Sequence, residues 1–153
     1  MEGDEGVIAC QGGNMAGWTL YLDGGRPTYL YNLYGHDLTA IAATAPLTPG
    51  AHTVEVLFDS DGGFGAGGTA VLSIDGTAMA EARIERTVPL VFSMSGETFD
   101  VGVDTGAPVG PYPHGFRCTA EIHGVTLERL TEPGAAVDAA VRAGLLQAGL
   151  RMQ

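Results

Sequence analysis

Lysine is absent from the 153 residues, and the basic complement, seven arginines, faces eighteen acidic residues for a formal net charge of −11. A field of that sign repels phosphate backbones and anionic headgroups, so nucleic acid and membrane surfaces are not expected partners. No apolar run approaches the ~20 residues of a transmembrane helix. The opening MEGDEGVIAC lacks the basic n-region and apolar h-region of a secretory signal, so the cytoplasm is the default expectation. Cysteine is limited to Cys10 and Cys118, without a Cys-x-x-Cys pair, and both fall in apolar surroundings that predict buried, reduced thiols. Also missing are a G-x-S-x-G elbow, a phosphate-binding glycine fingerprint between strand and helix, and any H-x-H or H-x-x-x-H spacing among His36, His52, His114 and His123. Neither catalytic residues, nor metal ligands, nor a cofactor are expected in this chain.

What is present is a β pattern. Twenty-four glycines and eight prolines with 45% apolar residues suit short strands joined by turns. The organising stretch is Ala51–Arg86. Val54, Val56 and Phe58 alternate with polar neighbours, as do Ala70, Leu72 and Ile74, with a glycine-rich turn between the two sets. After Asp75-Gly76, a type I′ turn dipeptide, Ala78, Ala80, Ala82 and Ile84 alternate with Glu81, Arg83 and Glu85. Upstream, strands are predicted over Gly6–Cys10, from Trp18 through Leu22, over Pro27–Tyr34 and over Leu38–Thr44. The tyrosine-rich Pro27–Tyr34 has two apolar faces and reads as a central strand. Downstream, strands are predicted over Pro89–Met94, Phe99–Val103 and Phe116–Leu130, the last with a bulge at Gly124 where its alternation changes phase. About ten antiparallel strands predict one all-β domain, a β-sandwich or jelly roll, over residues 6–131 after a polar lead-in at 1–5. Residues 132–153 read as a tail with a short, frayed helix, because Val137, Val141, Leu145 and Ala148 recur at helical spacing.

The chemistry-bearing candidates are few. Asp59-Ser60-Asp61 resembles the start of a calcium loop, but Gly63 and Ala70 stand where ligands are needed, so a polar hairpin turn is the reading. Asp100 and Asp104, four apart on a regular strand, would have backbones ~13 Å apart, too far for a glycosidase pair. Asp104 is read instead as a cap for the loop that follows, which carries Pro108, Pro111 and Pro113. Trp18 offers a face for stacking on a sugar ring, although its parity with Leu20 and Leu22 points to the core. Trp18, Asp104, Tyr112 and His114 are the candidate ligand-binding or interface residues.

With these residues in view, the chain resembles the C-terminal domain of bacterial arylsulfatases over about residues 5–131. The matching blocks are Glu5–Ile8 with Gln11-Gly12-Gly13, GWTLYLDGGRPTYLYN (17–32), HTVEVLFDSDGGFGAGGTAVLSIDG (52–76), ARIERTVP (82–89) and FDVGVDTGAPV (99–109). The resemblance implies a concanavalin A-like or jelly-roll sandwich. It also implies that hydrolysis belongs to a separate domain, where a Cys or Ser in a C-x-P-S-R-like motif becomes formylglycine beside a metal. Cys10 is followed by Gln-Gly-Gly and Cys118 by Thr-Ala-Glu, so that motif is missing. The expected role is a non-catalytic accessory domain partnered with a sulfatase catalytic domain. The alternative is a free-standing, lectin-like carbohydrate-binding module.

Overall fold

A computed structural model of the chain describes residues 3–89, 99–128 and 130. The predicted strand over Pro89–Met94, apart from Pro89, and the tail at 132–153 lie outside the described residues. Those that are described form eight strands and no helix: β1 (Gly6–Gly13), β2 (Ala16–Asp23), β3 (Arg26–Leu33), β4 (Asp37–Ala42), β5 (Val54–Ser60), β6 (Ala66–Ile74), β7 (Thr77–Arg86) and β8 (Phe99–Val101). They make two antiparallel sheets, one of five strands in the order β4-β3-β2-β1-β8 and one of three in the order β5-β6-β7.

The two sheets share a core because each strand has a period of two and offers one apolar face. Trp18, Tyr29, Tyr31, Leu33 and Ile41 from the larger sheet pack with Ala70, Leu72 and Ile84 from the smaller. Val54, Val56 and Phe58 of β5 join them, as their alternation predicts. The tyrosine-rich β3 is central and is buried on both faces, since Leu30 and Asn32 point away from this core yet are also covered. At the β6–β7 turn Asp75 and Gly76 have φ of 51° and 78°, the pair of positive values a type I′ turn requires.

Register departs from the sequence reading at specific points. β1 gains an extra residue between Val7 and Ala9. Val7 and Cys10, three apart, therefore lie on the same face, away from Ala9. A second irregularity sits between Leu72 and Ser73 of β6, opposite Ala80 and Ala78. No bulge forms at Gly124, because 119–128 is not a strand; only Arg117 makes a bridge, parallel to Val7. Segment 116–119 follows β1 through Val7 N–H to Phe116 O at 3.0 Å and Thr119 N–H to Glu5 O at 2.8 Å. That approach depends on Gly6, at φ 109°, where a Cβ would overlap the Arg117 carbonyl.

The far face of the five-stranded sheet is covered by irregular chain, residues 102–118. Cys10, Val7 and Val109 are the buried members of this second cluster, with Tyr21, Tyr112 and Phe116 packed against it. No helix among the described residues is long and apolar enough to cross a membrane.

One hydrogen bond ties the end of β7 to β3: the buried Val88 N–H donates to the Tyr31 hydroxyl at 2.9 Å. Tyr31→Phe should lower stability by about 1–3 kcal/mol, because it strands that buried donor. Chemical denaturation should show a lower midpoint with an unchanged slope.

Candidate functional site

Among the described residues, titratable and nucleophilic groups converge under the 102–118 cover. β8 pairs Asp100 with Cys10 of β1 and then ends at Val101. Gly102, at φ 79°, turns the chain back. The turn is pinned on both sides, Gly102 N–H donating to Ile8 O at 2.9 Å and Cys118 N–H to Gly102 O at 2.8 Å. The separation expected for a continued strand therefore does not arise. Instead the Cys10 thiol and carboxylate oxygens of Asp100 and Asp104 all lie within 4.8 Å of one another.

Each carboxylate organises part of the loop. Asp100 Oδ2 accepts the Thr105 N–H at 2.8 Å and the Thr105 hydroxyl at 2.6 Å. Asp104, 1% exposed, accepts the Val109 N–H at 3.0 Å through Oδ2, which also lies 2.8 Å from the Tyr112 hydroxyl. That hydroxyl is 3.0 Å from the Thr19 hydroxyl as well. A carboxylate only accepts, so the Tyr112 proton goes to Asp104 and Thr19 donates to Tyr112. On the other side of Val109, Asn32 Nδ2 donates to its carbonyl at 2.9 Å and to Asn14 O at 3.1 Å, while Asn32 Oδ1 accepts the Gly35 N–H at 2.8 Å. Tyr21 and Phe116 complete an aromatic layer around Tyr112, with ring centroids 5.2 and 5.3 Å away.

The Cys10 thiol is held in its protonated form. Burial pushes its pKa up, and the negative charges of Asp104 and Asp100 push the same way. Such a thiol is a poor nucleophile. The three donors are of the types that hold divalent cations, but a cation drawing on all of them would have to take the Cys10 proton and compete with the donors already on Asp104 Oδ2. The geometry as it stands is a polar anchor for the loop.

The four candidate residues do not form one site. Asp104 and Tyr112 meet in the anchor, Asp104 as a buried loop tie rather than a surface group. Trp18 lies on the opposite face, 6% exposed, with Tyr29 at 6.3 Å and Phe99 at 6.1 Å between centroids. No face of it is open for stacking. Its Nε1–H and the Gln11 Oε1, on directly paired residues, are buried without hydrogen-bond partners among the described residues. His114 is exposed on the loop. Of the anchor's other members, the sequence marks Asp100 only as a carboxylate partner of Asp104 and Cys10 only as a buried thiol, while Thr19 and Asn32 carry no signal beyond polarity within apolar strands.

Arg83, the basic residue placed between Glu81 and Glu85, is engaged elsewhere. Its guanidinium forms a bidentate pair with Asp61 of the β5–β6 loop, Nη1 to Oδ1 at 2.8 Å, with Glu85 at 4.0 Å. Both cysteines are free, Cys10 buried and Cys118 half-buried, so only Cys10 matches the expectation of a fully sequestered thiol.

Asp104→Ala should destabilise the protein by about 1–3 kcal/mol, since it strands the Val109 N–H, whereas the Tyr112 hydroxyl can turn to Thr19. A thermal or denaturant melt checks this. In the native protein a thiol reagent should modify Cys118 well before Cys10, and unfolding without reductant should expose both. An anchor that needs no cation should melt at the same temperature with chelator or with added zinc or calcium; a rise with metal concentration would assign a bound ion.

Comparison with known proteins finds no match to the chain among family models, curated proteins or solved structures.

Proposed function

We propose that this chain is a non-catalytic accessory domain of an arylsulfatase-like sulfuric ester hydrolase, acting without a cofactor of its own. In this reading it is a concanavalin A-like or jelly-roll sandwich that packs on a catalytic domain or rims its cleft. The observation that carries the reading is the state of Cys10: the nucleophile placed beside acidic groups is sealed under the loop and held protonated. Cleaving a sulfate ester needs an activated nucleophile and cationic groups for the developing charge. Here the carboxylates beside the thiol have the wrong sign for that task, and Arg83 is paired with Asp61.

Support for the partner comes from the sequence blocks. They fall on β1, on the β2–β3 hairpin, on the β5–β7 meander and on β8 with its loop, so they span both sheets and the cover. The loop edge at 110–115, with Pro111, Pro113 and His114 exposed, is the surface best suited to docking. Its anchor and prolines mean that little conformational entropy is lost on association. The lectin-like alternative rests on fold analogy, and Trp18, the candidate ring for sugar stacking, is closed off in the core.

The purified chain should give no turnover of 4-nitrophenyl sulfate above a heat-killed control. Mixed with a sulfatase catalytic domain encoded beside it, it should co-elute as a complex, and the loop-edge double variant Pro111→Glu with His114→Glu should weaken that complex. Chelator-sensitive turnover by the chain alone would overturn the proposal.

A further inference from the structure

The connection between the sheets carries an arrangement that the accessory-domain reading does not use. Residues 43–53 leave β4 and enter β5, and the linker bonds back to the first sheet through Leu47 N–H to Gly25 O at 2.9 Å. His52, near its end, has both ring nitrogens against oxygen acceptors. Nδ1 is 2.7 Å from Asp75 Oδ2 in the β6–β7 turn, and Nε2 is 2.8 Å from the Thr48 carbonyl. Neither oxygen can donate, so both bonds exist together only if both nitrogens carry protons. The geometry is that of an imidazolium.

The same ring has a neutral-state partner. The Thr48 hydroxyl lies 3.2 Å from Nε2 and can donate to it once that nitrogen has lost its proton. Asp75 is fixed independently of the histidine, its Oδ1 accepting the Thr53 N–H at 2.8 Å and its own N–H donating to Thr53 O at 2.8 Å. Nδ1–H therefore stays on Asp75 while Nε2 changes from donor to acceptor. Thr48, Pro49, Gly50 and His52 line a cleft of about 290 Å³ together with Asp4 and Leu22.

We propose that His52 is a pH-operated clamp: its imidazolium ties the Thr48 carbonyl of the inter-sheet linker to the β6–β7 turn, and its deprotonation exchanges that carbonyl for the Thr48 hydroxyl, loosening the cleft wall at Thr48 while the bond to Asp75 remains. The charged groups around the ring agree with this. Asp75 faces it from the β6–β7 turn, Asp4 is a further acidic residue lining the cleft, and the linker from Ala43 to Ala51 contributes no charge. The bonds to Asp75 and then to Thr48 raise the His52 pKa above its usual 6.5, and desolvation acts the other way. The Thr53 N–H, followed by His52, lowers the Asp75 pKa below its usual 3.8. A raised histidine pKa stabilises the fold fully below the unfolded value and loses that contribution as pH climbs through the folded one. A depressed aspartate pKa stabilises above the unfolded value and loses it as pH falls through the folded one. The clamp is thus fully closed between about pH 4 and 6.5 and opens on the alkaline side.

Imidazole ¹⁵N spectra of the whole chain across pH 4–9 test the clamp. The expected result is a single His52 transition above the ordinary histidine range, from two N–H groups to the Nδ1–H form. Asp75→Asn should lower its midpoint, and Thr48→Val, which removes the neutral-state partner, should raise it. The protection factor at Leu47, beside Thr48, should fall through the transition in the parent chain and become flat with pH in His52→Gln, while Thr53, held by Asp75 in both states, should stay protected. An Nε2–H neutral form, an unshifted midpoint in both variants, or Leu47 protection unchanged through the transition would overturn the proposal.

Discussion

Val109 is the point on which the covered face of the larger sheet depends. It is 1% exposed, lies in irregular chain, and so has no strand partner for its N–H or its carbonyl. A buried backbone with unpaired polar groups is unstable by several kcal/mol. Both groups are satisfied by side chains, Asp104 from within the loop and Asn32 from the central strand. Asn32 also holds the turns at Asn14 and Gly35, so one amide joins two hairpin ends to the cover. Everything beneath the loop follows from that attachment: Tyr112 is brought over Thr19, the aromatic layer closes, and Cys10 is shut away from water.

This arrangement separates the two faces of β1, β2 and β3 by chemistry. One face meets another sheet and is filled by Trp18, Tyr29, Tyr31, Leu72 and Ile84, packed mainly by shape, with the Tyr31 hydroxyl accepting the Val88 N–H. The other meets a loop and must carry polar groups in matched pairs. Asp104, Asn32 and Thr19 are buried for that reason, and each has the partners that make burial tolerable.

The alternation of Val54, Val56 and Phe58, the Asp75-Gly76 turn and the two apolar faces of β3 were legible in the sequence, because each is a local pattern of period two or a backbone requirement of one or two residues. Phe116–Leu130 reads equally well by that criterion and is mostly not a strand: alternation records which side is apolar, and a chain crossing over a sheet can satisfy it without a ladder. The pairing of Asp104 with Cys10 was illegible because it depends on Gly102 reversing the chain after a three-residue strand. The bulge at Ile8 was hidden for a similar reason, since Val7, Ile8 and Ala9 are all apolar and give no phase to read.

That bulge bears on how the chain tolerates changes in length. Upstream of it, Gly6 and Val7 hold the passing 116–119 segment; downstream, Cys10 sits among the acidic groups. Losing one residue between Val7 and Ala9 would turn the first half of β1 over, directing Val7 into the other layer and removing the groove that Gly6 leaves for Arg117. The β5–β6 loop at 61–65 has no such phase relation to protect, as it is held from outside by Arg83. Insertions and deletions in relatives of this chain should therefore accumulate in that loop and spare the start of β1, although both are short glycine-containing stretches.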